Sequence, residues 1–318
     1  TVTDPSSNSS TATATVTVLD TITPTVVAQN ITVSLDASGN ASITTADIDN
    51  GSADNCGVSL SLDVTSFTCA ELGANTVTLT GTDASGNSST ATATVTVQDN
   101  LSPSVVTQDI TAYLDATGNV TIAAADVDNG STDNCSSSLT RALDISSFTC
   151  ADLGANTVTL TVTDAAGNDG TATATVTVLD TITPTTVAQD LTVYLDGAGN
   201  AAIVAADVDN GSSDNCGVSL ALDITSFTCT DLGANTVTLT ATDPSSNSST
   251  ATATVTVLDT ITPTVVAQNI TVSLDASGNA SITTADIDNG SADNCGVSLS
   301  LDVTSFTCAE LGANTVTL

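Results

Sequence analysis

The sequence predicts an all-β protein of tandem antiparallel β-sandwich domains in a linear array, and three observations predict it. Thr or Ser alternates with Val, Leu, Ile or Ala through most of the chain, the period of two at which a strand turns one face to a core. Clusters of Asp, Asn, Gly and Ser break that alternation at roughly ten-residue intervals, as turns between short strands do. The pattern itself repeats. The motif TxTD opens windows at Thr1, Thr80, Thr161 and Thr240 of 79, 81, 79 and 79 residues, and residues 3–79 recur unchanged as 242–318. Such self-similarity marks a repeat array, and the last window reads straight on into the first, as expected for a section of a longer one.

Taken in order, Thr11 to Val18 alternates strictly and reads as a strand. Asp20-Thr21-Ile22-Thr23-Pro24 follows, and its counterparts are Asp99 to Pro103, Asp180 to Pro184 and Asp259 to Pro263. Proline fixes φ and lacks a donor, which suits the first residue of a strand after a linker, so domain boundaries are expected there. On that phase the domains are 21–99, 100–180 and 181–259; residues 260–318 lack a last strand, and 1–20 are such a strand. Within 21–99, Ile31 to Leu35 is a strand, Asp36 to Asn40 a turn, and Thr45-Ala46-Asp47-Ile48 at most one helical turn. Asp49 to Asn55 is a second turn, Val58 to Leu62 and Thr76 to Leu79 are strands, and Asp83 to Asn87 is a third turn. Val33, Leu35, Ile43, Leu60, Phe67, Val77 and Leu79 are the core candidates.

Composition excludes several functions. The chain has 33 Asp, 2 Glu, one Arg (Arg141), no Lys and no His, for a net charge of −34. Phosphate binding requires Lys and Arg to displace counterions, so no nucleic-acid partner is expected, nor adsorption to an anionic membrane. Acid–base catalysis would fall to carboxylates and two tyrosines, Tyr113 and Tyr194, so no enzyme and no small-molecule substrate are expected. No apolar run approaches the ~18 residues of a membrane span. With 40% apolar residues the chain is also no disordered acidic tail.

Cysteines fall two per repeat: Cys56 and Cys69, Cys135 and Cys150, Cys216 and Cys229, Cys295 and Cys308. Domains of about 80 residues bury only about 60–65% of the surface their unfolded chain exposes, are marginal, and gain from staples. An even count without His or CxxC points to disulfides in an exported chain rather than to a metal site. Pairing within each repeat is expected, because cysteines of different domains rarely bring their Cα atoms within ~7 Å. The second repeat carries two additional residues, and Arg141, between its cysteines.

The string FTCADLGANTVTLTVTDAAGN (Phe148 to Asn168), preceded by Asp133-Asn134 and followed by an alternating strand and D-x-x-x-P, resembles the hyalin-repeat (HYR) family over the whole chain, four times. The Thr- and Asp-rich, Lys-free version is similar to tandem repeats of giant surface adhesins secreted by Bacteroidetes. The resemblance implies an immunoglobulin-like fold, an extracellular or cell-surface location and a role in adhesion. Many HYR domains carry Trp in an early strand and Cys in the last. This chain has no Trp and no Cys from Ala12 to Val18, so the family's disulfide pairing is not carried over unexamined. Adhesins of this kind also resemble targets of O-glycosylation at Asp-Thr-apolar triplets, which makes Thr21, Thr181 and Thr260 candidates.

Calcium is the expected cofactor. Each repeat concentrates acid in one loop: Asp47, Asp49 and Asp54, then Asp126, Asp128 and Asp133, then Asp207, Asp209 and Asp214, then Asp286, Asp288 and Asp293. In a sandwich of immunoglobulin type that loop shares a pole with the linker acids Asp20, Asp99, Asp180 and Asp259 and with the turn acids Asp83, Asp164 and Asp243. Hard cations take six to eight such oxygens. The function expected is a structural stalk or filament segment of an extracellular adhesin. Its partners would be neighbouring repeats of the same array, with lateral self-association a further option. A glycan-binding module is the alternative, and an ice-binding face formed by the rows Thr76, Thr78, Thr80 and Thr90 to Thr96 a weaker one.

Overall fold

A computed structural model describes all 318 residues. The chain forms two compact units: Thr1–Thr111, Thr121–Ser147 and Ala155–Thr177 in one, Ala112–Val120, Phe148–Gly154 and Val178–Leu318 in the other. In the first unit β1 (Val2–Thr3) and β2 (Ser9–Ser10) pair as a small hairpin. The repeat of residues 21–99 follows with β3 (Ile31–Ser34), β4 (Asn40–Ser42), α1 (Thr45–Ile48), β5 (Ser59–Leu62), β6 (Ser66–Thr68), β7 (Gly73–Thr82) and β8 (Ser88–Gln98).

These elements make a two-layer, immunoglobulin-like sandwich. One sheet has the order β3-β8-β7-β5, and the other is built on the β4-β6 pair. Bridges from Thr25 to Ala53 and from Ala28 to Asp49 extend the layers beside buried Pro24. Pairing is antiparallel except between β3 and β8, which run parallel in register Ile31↔Val95 to Ser34↔Gln98. The β7–β8 ladder sets Thr76, Thr78 and Thr80 opposite Thr94, Thr92 and Thr90 on the outer face. Their neighbours Val77, Leu79, Ala93, Val95 and Val97 point inward and are buried with Leu35, Ile43, Ile48 and Phe67. Val33 and Leu60 pack partly buried against that core. Alternation thus separates a β-branched polar face from an apolar one, as a half-buried sheet requires. In the second unit, Leu191–Tyr194, Ser248–Leu258, Gly233–Thr242 and Ser219–Leu222 repeat the four-stranded order, over a core that includes Phe227, Val255 and Val257.

The single helical turn forms where the sequence places it. Asp47 accepts the Thr44 N–H at 2.7 Å and the Thr44 hydroxyl at 2.6 Å, which caps the exposed donors that begin any helix.

Two segments depart from expectation. Thr11 to Val18 forms no strand, and Val16 and Val18 are 83% and 89% exposed. The matching stretch in β8 is held by β3 on one side and β7 on the other, and nothing in the chain offers those two partners to residues 11–18. Likewise, in residues 260–318 the one strand pair is Asn279–Ser281 with Ser305–Thr307, beside the single bridges Thr264 to Ala292 and Ala267 to Asp288. A cavity of about 550 Å³ lined by Ile270, Val272, Leu274, Ile282, Ile287 and Phe306 opens in that repeat, on the face that β8 covers in 21–99. A strand pattern supplies the alternation, but the ladder needs both edges.

Candidate metal centre and the cysteine staples

The cysteine pairing corrects the expectation of bonds within repeats. Cys69 is bonded to Cys135, Cys150 to Cys216 and Cys229 to Cys295, each across 66 residues with Cα atoms 5.3–5.4 Å apart. Cys56 and Cys308 are exposed thiols. The reason lies in the poles of the sandwich. Cys69 begins a 3₁₀ turn, Cys69–Glu71, that packs against the Asp36–Asn40 turn, its sulfur 3.7 Å from the Gly39 carbonyl. Cys56 sits at the other pole, where the Asn55 amide donates to Asp20 at 3.2 Å. The two cysteines of one repeat are therefore held apart, and six of the eight pair across repeat junctions instead, leaving Cys56 and Cys308 unbonded. Glycine is required beside the staple: Gly39 has φ +73°, and a Cβ there would lie 2.6 Å from the Cys69 sulfur and 3.2 Å from the Asn134 carbonyl oxygen. A signal for this pairing existed in the sequence. The spacing between the two cysteines of a repeat changes in the second repeat, whereas the spacing across each junction is 66 every time.

The acidic residues divide into three groups. The first group caps: Asp47, Asp126, Asp207 and Asp286 accept the N–H of Thr44, Ala123, Val204 and Thr283 at 2.7–2.8 Å. Bonds from Thr44, its hydroxyl above all, hold the Asp47 carboxyl below the ordinary carboxylate value. The second group ties down the next turn: Asp49, Asp128, Asp209 and Asp288 accept the N–H of Ser52, Ser131, Ser212 and Ser291. Arg141, the chain's one Arg, pairs with Asp128 at 2.7 Å. Burial raises the Asp128 carboxyl, but the Ser131 and Arg141 bonds outweigh it and leave it lowered. These eight residues are engaged away from any cluster.

The third group converges. Asp20, Asp54 and Asp83 bring one carboxylate oxygen each within 4.8 Å of the others, as do Asp99, Asp133 and Asp164, and Asp180, Asp214 and Asp243. Asp259 and Asp293 occupy the first two of these positions in the last repeat, where Asn294 donates to Asp259 at 3.2 Å. Local bonding positions each member. Asp180 accepts the Ile182 N–H at 3.0 Å through Oδ1. Asp214 accepts the Cys216 N–H at 2.9 Å through Oδ2. Asp243 accepts the Asn247 N–H and side-chain amide, both at 2.8 Å. Asn247 also donates to the Asp180 carbonyl at 3.0 Å, joining turn to linker. Asn215 donates to Asp180 and, from the junction, to the carbonyl of Asp115. Asp83, Asp99, Asp164, Asp180 and Asp243 are all buried. At the first cluster Asp20 raises the Cys56 thiol by a hydrogen bond and by its charge. The Asn87, Asn168 and Asn247 side chains, which hold the clusters together, each close a turn four residues after its acid, at Asp83, Asp164 and Asp243.

Thr21, Thr181 and Thr260 are exposed. So are Tyr113 and Tyr194, at 57% and 59%, whereas Phe67, Phe148 and Phe227 are buried in the cores. No helix is long and apolar enough to cross a membrane.

No protein-family model matches the chain, and no curated protein does. Solved structures similar to it include mouse cadherin-23 EC22–24 (13% identity, TM-score 0.31, covering 74% of this chain and 99% of that one). Titin domains I67–I69 are similar at 10% identity and TM-score 0.34, covering 74% and 98%. Sidekick-1 immunoglobulin domains 1–4 are similar at 9% and 0.30, covering 72% and 74%. The immunoglobulin-like fold rests on the sheets described above, and likenesses at these TM-scores add no argument to it.

Proposed function

We propose that this chain is a structural segment of an extracellular, repetitive adhesin, a stalk of HYR-like repeats in which each repeat is covalently stapled to the next. The observation that carries this reading is the placement of all three disulfides across repeat junctions. A staple inside a repeat would stabilise one domain; a staple across a junction transmits load between domains. Disulfides persist in oxidising surroundings outside the cytosol, and the identity of residues 3–79 and 242–318 suits a spacer rather than a unique recognition tip. The domain limits proposed are those set by Pro24, Pro103 and Pro184, each of which is buried where a strand layer begins. O-glycosylation at Thr21, Thr181 and Thr260 is compatible with their exposure. Calcium at the junctions belongs to the same reading and has its own argument below.

Immunogold labelling of intact source cells with antibody to this chain tests the assignment. Surface label is expected, and label seen only after permeabilisation would overturn it. The glycan-binding alternative rests on Tyr113 and Tyr194, which stand at matching positions of two different repeats, and titration against a glycan panel should show no saturable binding.

A further inference from the structure

We propose that the three clusters of converging carboxylates form calcium-class cation sites at the linker poles of their repeats, with Asp180, Asp214 and Asp243 as the best-formed example. The stalk assignment rests on the disulfides and would stand without this site. Two oxygens bound to one Ca²⁺ at about 2.4 Å lie at most about 4.8 Å apart, and the three carboxylates meet that span. Proximity alone would not distinguish a site from a solvated acidic patch, but burial does. Asp180 is 4% exposed, and its Oδ2 is buried without a hydrogen-bond partner. Asp214 Oδ1 and Asn215 Oδ1 are likewise buried and unpartnered. Such atoms are rare in folded proteins because each forfeits its hydration.

The bonding divides the work within each side chain. Asp180 turns Oδ1 to the Ile182 N–H and leaves Oδ2 free; Asp214 turns Oδ2 to the Cys216 N–H and leaves Oδ1 free. One oxygen anchors the carboxylate and the other remains for a ligand. Nothing basic in the chain can serve as that ligand, since its single Arg is paired with Asp128. The same division recurs at Asp133, which gives Oδ2 to the Cys135 N–H and has Oδ1 buried and unpartnered beside Asp99 and Asp164.

Donor chemistry selects the ion. The chain has no His, and Cys216 is consumed in a disulfide, so nitrogen and sulfur ligands suited to zinc are missing. Oxygen donors alone suit Ca²⁺, which takes six to eight of them.

The test uses the full oxidised chain, stripped with EDTA, dialysed and titrated with calcium chloride by calorimetry. Saturable binding of at least two ions per chain is expected, with a melting temperature that rises with calcium. Asp214→Asn keeps an acceptor for the Cys216 N–H but removes the free charge, and should bind one ion fewer than the parent. Asp207→Asn, altered at a helix cap outside the cluster, should bind the parent's number. Melting in EDTA and the disulfide count establish that both variants fold. No saturable binding at millimolar calcium, or an unchanged ion count in Asp214→Asn, overturns the proposal; the disulfide map is untouched by either result.

Discussion

Reducing the disulfides should lengthen the chain under tension by an amount that distinguishes the two ways of pairing its cysteines. Each staple closes a loop of 66 residues, so together they shield roughly 200 residues from a pulling force even after every sheet has unravelled. At about 3.3 Å per extended residue, reduction releases about 650 Å of contour. Bonds within repeats would close loops of roughly 15 residues and release about 200 Å on the same scale. The assay is single-molecule force spectroscopy on the chain held by its two ends, first oxidised and then with dithiothreitol. Contour gained on reduction near 200 Å, or none, would refute the junction staples. The thermodynamic counterpart is milder. Closing a loop of this length constrains the unfolded chain by about 4 kcal/mol, against about 3 for a 15-residue loop. Stability alone therefore separates the two pairings poorly, and contour length separates them well.

Four further outcomes follow from the same geometry. Alkylation without denaturant should find two thiols per chain, Cys56 and Cys308, and Cys56 should react more slowly than an ordinary thiol at pH 8, because Asp20 raises it and less thiolate is present. Gly118→Ala should be more damaging than Gly130→Ala. Both positions have positive φ and share that cost of about 1–2 kcal/mol, but only at Gly118 would a Cβ meet the Cys150 sulfur at 2.7 Å and the Asn215 carbonyl oxygen at 2.9 Å, with nothing near Gly130; melting and the yield of the Cys150–Cys216 bond would show it. Phe148, 1% exposed, should cost about 3–5 kcal/mol on truncation to Ala, read by denaturant unfolding. Acid should destabilise the fold through carboxyls such as Asp144, which the Thr159 N–H holds below its ordinary value. Its contribution is complete above the unfolded-state value of about 3.9 and is lost as pH falls through the lower folded-state value, so melting temperature should drop below about pH 4, less steeply in Asp144→Asn.

The strand alternation, the turn clusters and the repeat length determined the fold by themselves, because a period of two and an 80-residue recurrence are properties of adjacent residues. Val77, Leu79 and Phe67 are core for that reason, and Thr45 to Ile48 forms its one turn because Asp47 is placed to cap it. The gathering of loop, linker and turn acids at one pole was legible once an immunoglobulin-type sandwich was expected, but which loop acids join it was not. Asp47, Asp49 and Asp54 look alike in sequence, yet only Asp54 reaches the linker and turn acids, while the other two are used by the backbone a few residues away. Five strands, from Leu191–Tyr194 to Gly233–Thr242, separate Asp180 from Asp243, and no local pattern encodes the return that brings them together. The disulfides depended on tertiary structure most of all. Cys56 and Cys69 are close in sequence but stand at opposite poles of one sandwich, and Cys69 and Cys135 are 66 residues apart and bonded. A short connecting segment limits how far apart two residues can be; it does not make them neighbours when β5 and β6 run the length of a domain between them.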